Sequence, residues 1–262
     1  MYYVDSHIHL SSRQYQPYYK EIFNLMLYTH LRCFCMSEDH ISSIQTLSVK
    51  KNFFSSANLV LAFVGIHPQS VTTLTDINSF QDFFYSHLDQ IDGVGEIGLD
   101  PTYIDIYPTN SMVSQKFIFH KMLTLAEKTQ KPISIHSRRS VGDIIEMLSS
   151  YRIKNAVFHW YEGSKKNLKK INEMGFFVSF GPYILYNKEK QNMLRESDKN
   201  FVLIETDGPV GYKGCLENVL TTPTLILSIL YLISNIFEQP FQETSELLFL
   251  NASRFINCQM KL

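Results

Sequence analysis

The sequence has little of what marks several protein classes. Cysteine is scarce: Cys33, Cys35, Cys215 and Cys258 show neither zinc-ribbon spacing nor the density of a disulfide scaffold. A reduced, cytoplasmic setting is the simplest expectation. It agrees with a start, Met1-Tyr2-Tyr3-Val4-Asp5, that carries no basic region, apolar core or small-residue cleavage site of an export signal. No apolar run approaches the roughly 20 residues that a bilayer span requires. The most apolar stretch, Leu225 to Ile233, is interrupted by Ser228 and reads as a buried helix, so no membrane partner is expected. Neither sign of charge is in excess, with 24 Lys plus Arg against 25 Asp plus Glu. That balance excludes blanket electrostatic attraction to duplex nucleic acid and leaves room for a local phosphate site. No repeat of fixed period, low-complexity tract or Gly/Ser linker divides the chain. One domain over residues 1–262 is expected, and nothing demands a partner subunit, so a monomer is expected too.

What the chain does have is apolar material, 45% hydrophobic and 13% aromatic, ample for a sizeable core. Short β-branched and aromatic runs recur at about residues 3–9, 31–36, 60–66, 93–97, 133–136, 156–159, 176–180 and 201–205. Segments of helical periodicity separate them, at about 17–29, 39–51, 77–89, 114–129, 140–151, 164–174, 187–196, 222–237 and 241–256. The clearest is 114–129, where Phe117, Met122, Leu125 and Ala126 form an apolar stripe and Pro132 prevents continuation. Strands alternating with helices specify a parallel α/β fold, and this many strands fit a closed TIM (β/α)₈ barrel. The segment from Pro101 to Ser111 is the expected long loop, overhanging the face where barrel active sites sit.

Histidine is placed unevenly. His7, His9, His67, His136 and His159 fall at the ends of proposed strands, whereas His30, His40, His87 and His120 fall in helical regions. In a strand the side chains alternate, so His7 and His9 point to one face and can grip one ion. Asp5 is in phase with them and either orients His7 or is simply the polar start of a strand. Glu96, His136 and Asp207 likewise end apolar runs, in Val94-Gly95-Glu96-Ile97, Ile133-Ser134-Ile135-His136 and Leu203-Ile204-Glu205-Thr206-Asp207. Burying such groups costs several kcal/mol apiece unless a cation or partner compensates, and clustered His with Asp/Glu is the composition of zinc, manganese or magnesium sites.

In this order the motifs resemble the TatD family of metal-dependent deoxyribonucleases, within the amidohydrolase-type barrels. The resemblance spans nearly the whole chain. It is carried by VDSHIHL at the start, GIHP at 65–68, GEIGLD at 95–100, the run from Gln115 to Arg138, FHWYEGS at 158–164, SFGP at 179–182 and ETDGP at 205–209. It implies that His7, His9 and Asp207 bind a first divalent ion, that Glu96 bridges to a second, and that His136 and His159 complete the second site. It implies exonuclease-like hydrolysis of phosphodiester bonds in DNA or a short oligonucleotide, through a water activated by two ions (Zn, Mg or Mn). Asp207 would accept that water's proton, so Asp207 and Glu96 are the catalytic candidates. Gln69, Pro101 and Trp160-Tyr161 depart from the family pattern at positions where substrate would rest.

Further candidates come from position alone. His67 could contact a phosphate oxygen, and Arg138, in phase with His136, is favoured over Arg139 for a bidentate phosphate contact. Trp160 and Tyr161 either stack a terminal base or pack. Lys165 and Lys166 read as a solvated helix face, and Cys33 and Cys35 as small buried hydrophobes. Two other functions remain open: a metal-dependent hydrolase of a small amide, ester or lactone, and a non-catalytic scaffold, which would be expected to lose ligands.

Overall fold

Strands and helices alternate along the computed structural model, which describes residues 1–54, 58–70, 74–107 and 109–257. The order is β1 (Tyr3–Ile8), α1 (Tyr19–Tyr28), β2 (Leu31–Cys35), α2 (His40–Phe53), β3 (Val60–Val64), α3 (Leu74–Ser86), β4 (Gly93–Gly98), α4 (Met112–Thr129), β5 (Ile133–His136), α5 (Val141–Leu148), β6 (Ala156–Phe158), α6 (Lys165–Glu173), β7 (Phe177–Phe180), α7 (Lys188–Arg195), β8 (Val202–Ile204), α8 (Ile226–Phe237) and α9 (Phe241–Phe255). The eight strands form one parallel sheet in sequence order. Between β8 and β1 the seam is closed by Asp207 N–H to His7 O, His9 N–H to Gly208 O and the Ser6 hydroxyl to Ile204 O, each 2.8 Å. The fold is a TIM (β/α)₈ barrel, as expected.

Local chemistry sets the helix ends. Asp39 caps α2 and Ser111 caps α4, each in a reciprocal box with the serine three residues on, which satisfies amides that the first turn leaves unpaired. Gln130, in the left-handed region at φ 56°, stops α4 before Pro132. The buried face of α4 is Ile118, Phe119, Met122, Leu123, Leu125 and Ala126; Phe117, placed in the stripe from sequence, is instead exposed beneath the Lys121 ammonium. A helical pitch sets neighbours 100° apart, so a stripe drawn one position off leaves the buried arc.

A long connection follows β4 as expected, running to Met112 with residue 108 outside the described residues, and a longer one, not singled out from sequence, runs from Glu205 to Leu225 after β8, broken by short 3-10 turns at Gly214–Leu216 and Pro223–Leu225. Cys33 and Cys35 are buried free thiols, as expected, whereas Cys258 and the side chain of Cys215 lie outside the described residues. Among the described residues no single helix is long and apolar enough to cross a membrane; α8 buries Ile226, Ile229, Leu230, Ile233 and Phe237 against the barrel.

Candidate metal centre

Two pairs of strands break register, β1 against β2 between Asp5 and Ile8, and β4 against β5 between Val94 and Ile97. These interruptions fall at His7 and Glu96. An irregular step can re-aim a side chain that strict alternation would send elsewhere. The Asp5 carboxylate, fully buried, accepts the Thr206 amide at 2.9 Å and the Thr206 hydroxyl at 2.5 Å, tying β1 to the residue before Asp207. The His7 ring meets the Ser134 hydroxyl instead, Nδ1 to Oγ 3.1 Å. Asp5 therefore positions the Asp207 turn rather than the His7 ring. Close approach at the mouth also constrains Gly98: at φ 150° a Cβ there would stand 1.9 Å from the His136 carbonyl oxygen.

The cluster is organised around Glu96. Its Oε1 lies 2.7 Å from His159 Nε2, 2.8 Å from His136 Nδ1 and 3.3 Å from His67 Nε2. Its Oε2 lies 3.3 Å from His7 Nε2 and 3.4 Å from His9 Nε2. Asp207 Oδ1 is 3.5 Å from His7 Nε2 and 3.4 Å from His9 Nε2, and those two nitrogens face each other at 3.4 Å. Five imidazoles thus converge on one carboxylate, with a second carboxylate beside the first pair. All the residues named from sequence as ligands meet here. His67 meets them too, more deeply than a phosphate contact requires: it is 3% exposed, its Nδ1 accepts the Gln69 amide, and its ring lies edge-on to His136.

Burial opposes charge on each group, and the neighbours decide the outcome. For Glu96 the surrounding His159, His67 and His7 outweigh burial and hold the carboxyl well below the usual range. Asp207 is held down by the His9 hydrogen bond and by His7 and His159, against the same penalty. His9 and His159 are driven well above the usual histidine value against burial, the first by hydrogen bonds to Asp207 and Glu96, the second by Glu96 and Glu205. His7 and His67 are lowered, by burial first. Anionic carboxylates among crowded imidazoles, with ring nitrogens facing one another, form a donor set that suits divalent cations. Among the described residues three sets hold ligand atoms within 4.8 Å of one another: His7, His9 and Asp207; His67, Glu96 and His136; and His7, His159 and Glu205.

A cavity of about 400 Å³ opens on this cluster, lined also by Glu38, Tyr103, Arg138 and Trp160. Arg138 is exposed at its edge, and Arg139 does not line it. Trp160, in the left-handed region at φ 41°, faces the cavity and stacks on Tyr212 at 5.5 Å. Tyr161 belongs to the core, 1% exposed, its hydroxyl donating to Ser164 O. Of the departures from the family pattern, Trp160 lines the cavity, while Gln69 donates to the Tyr107 hydroxyl and Pro101 begins a 3-10 turn, both outside the lining. Lys165 sits on a solvated face, paired with Glu196.

Sequence reasoning assigned no role to two buried carboxylates. Asp100 Oδ2 lies 2.8 Å from His136 Nε2, and Glu205 Oε1 lies 3.7 Å from His159 Nδ1. The available signal was phase: Glu205 precedes Asp207 by two positions, and Asp100 follows Glu96 by four.

The family profile described as TatD related DNase matches residues 4–257. An uncharacterised metal-dependent hydrolase of Haemophilus influenzae is 24% identical over 259 residues, covering 96% of this chain and 98% of its own. A human protein named as a deoxyribonuclease is 23% identical over 217 residues, covering 79% of this chain and 77% of its own. Among solved structures, a TatD homologue from Escherichia coli superposes with a TM-score of 0.85 at 17% identity, covering 97% of this chain and 98% of the other.

Proposed function

This chain belongs to the TatD-related DNase family of metal-dependent hydrolases, and from that premise we propose that it hydrolyses phosphodiester bonds at the ends of DNA or a short oligonucleotide. The observation that carries the reading is Glu96, whose two carboxylate oxygens are faced by separate groups of imidazoles, Oε1 by His67, His136 and His159 and Oε2 by His7 and His9. Such a placement supports a carboxylate that would serve two ions at once. His7, His9 and Asp207 would hold one divalent ion, His136 and His159 the other, with Glu96 between them. Such a pair supplies an activated water and neutralises charge on the attacking and leaving oxygens of an in-line displacement.

The protein's own groups do the rest. Asp207 is anionic at neutral pH and accepts the proton of the attacking water. It is held for that task by its amide bond to His7 O, by a left-handed backbone at φ 50° and by the Asp5–Thr206 bonds next to it. Arg138, at the cavity edge, offers two parallel N–H groups to a phosphate. Trp160 presents a ring face to a terminal base. A cavity of about 400 Å³ has room for a nucleotide and not for a duplex, which favours a strand end. Every proposed ligand comes from one chain, so the monomer is the proposed working unit.

The test is an activity panel on chelated and metal-restored protein, comparing single-stranded DNA, RNA and small esters or lactones. Metal-dependent release of nucleotides from DNA ends is expected. Turnover of the small esters with DNA left intact would move the assignment to a small-molecule hydrolase, and no turnover of anything with both ions bound would leave a binding module.

A further inference from the structure

We infer that Asp100 and Glu205 are positioning residues that receive the N–H of His136 and His159 on the side away from Glu96 when an ion is bound, and so set the affinity of the second ion. The inference rests on the metal-pair reading above. His136 turns Nδ1 to Glu96 at 2.8 Å and Nε2 to Asp100 at 2.8 Å. His159 turns Nε2 to Glu96 at 2.7 Å, while Nδ1 is buried with no hydrogen-bond partner and has the Glu205 carboxylate 3.7 Å away. In both rings one nitrogen faces Glu96 and the other faces a carboxylate that is itself 0% exposed.

A neutral imidazole has one N–H and one lone pair. An ionised carboxylate can only accept, and Glu96 is one too, so the two sides compete for the proton until an ion is present; with an ion beside Glu96 the nitrogen facing it must give its lone pair, and the N–H is then received by the carboxylate behind the ring. Each carboxylate is already held by other donors. Asp100 Oδ1 accepts the Thr102 amide at 2.8 Å and hydroxyl at 2.6 Å, and Glu205 accepts the Trp160 amide at 2.7 Å and the Ser179 hydroxyl at 2.5 Å. The first site is built differently: behind His7 stands the Ser134 hydroxyl, which can donate or accept and therefore does not choose a tautomer.

Asp100→Asn is the sharpest probe. Its single oxygen is kept by the Thr102 donors, so its NH₂ turns to His136 Nε2 and drives the ring proton to the wrong side. Manganese(II) and zinc(II) binding would be followed by calorimetry and metal content in wild type, Asp100→Asn and Glu205→Gln, with ¹⁵N histidine shifts of the metal-free proteins. Each variant is expected to weaken one ion by roughly 10–100-fold and to leave the other within about 2-fold, with the proton on His136 Nε2 of the metal-free protein lost in Asp100→Asn. Thermal melting identifies a variant that fails to fold, in which case the other carries the test. Two ions bound at wild-type affinity by a folded variant would overturn the positioning role and leave the metal-pair reading standing. Wild type taking up fewer than two ions would overturn both. A second ion lost outright from Glu205→Gln while Asp100→Asn binds normally would make Glu205 a ligand with His7 and His159, which also overturns the positioning role.

Discussion

The two ends of the barrel are made from the same strands and obey opposite rules. At the N-terminal end α9 lies across the opening, anchored by Asn251 to the carbonyls of Lys199 and Val202 and by Ser245 to Tyr2 O. Its Phe255 packs on Phe34, Phe63 and Phe177 at 6.0, 6.0 and 5.9 Å between ring centroids. Gly93 is obligatory there, since a Cβ would stand 2.1 Å from the Phe63 ring. At the C-terminal end the positions further along those strands, and the residues just beyond them, hold buried carboxylates and imidazoles, with His9 and His136 partly exposed to the cavity. Burial stabilises the floor and costs free energy at the mouth until a proton or cation compensates. Stability and function are therefore laid out along one axis, and substitutions at the two ends should fail in different ways.

The largest separation is expected for Asp207→Asn. It keeps an oxygen for the first ion but loses the basicity to accept a proton. Turnover of a short single-stranded DNA should fall by roughly 10²–10⁴-fold, with melting temperature and metal content near wild type. Near-normal turnover with both ions bound would remove the proton-acceptor role. Glu96→Gln should fail by another route, losing the ion pair itself, because an amide lacks the second anionic oxygen; activity measured against metal concentration should recover in part.

Phe255→Ala is the counterpart at the floor. Removing the ring should cost about 3–5 kcal/mol of folding stability, read by denaturant unfolding, while turnover per folded molecule stays unchanged. If turnover of the folded fraction fell with stability, the two ends would be coupled and the comparison would break.

A smaller effect distinguishes the histidines of the mouth. His9, His136 and His159 are raised above the usual histidine value in the metal-free protein, against burial, by their carboxylate partners. Below their folded values they carry protons that a metal must displace. Metal affinity should therefore rise with pH through that range and level off above it, with protons released on binding. His7 and His67, lowered by burial, should release none. Calorimetry in buffers of different ionisation enthalpy measures the count, and binding without proton release at pH 7 would contradict the raised values. The smallest effect is expected at the rim: Arg138→Ala should raise KM by roughly 10-fold with kcat little changed, the mark of a contact made equally in ground and transition states.

Much of this was legible in the chain. The alternation of apolar runs with amphipathic segments located each strand and helix to within a few residues, because periodicity is a local property. The histidines and carboxylates that end those runs were visible as candidate ligands for the same reason. The partners were not. That Asp5 serves Thr206, that Ser134 backs His7, and that Asp100 and Glu205 stand behind His136 and His159 depends on residues far apart in sequence meeting across the barrel. Trp160 and Tyr161 are adjacent and aromatic, yet one faces the cavity and the other the core.

The sequence by itself determined the fold class and the chemistry of the mouth, since strand period, helix period and residue type need no neighbour to be read. Only the tertiary structure decided which ring nitrogen faces which oxygen. The steps out of register at His7 and Glu96 turn those side chains, and such steps arise from how adjacent strands settle against one another.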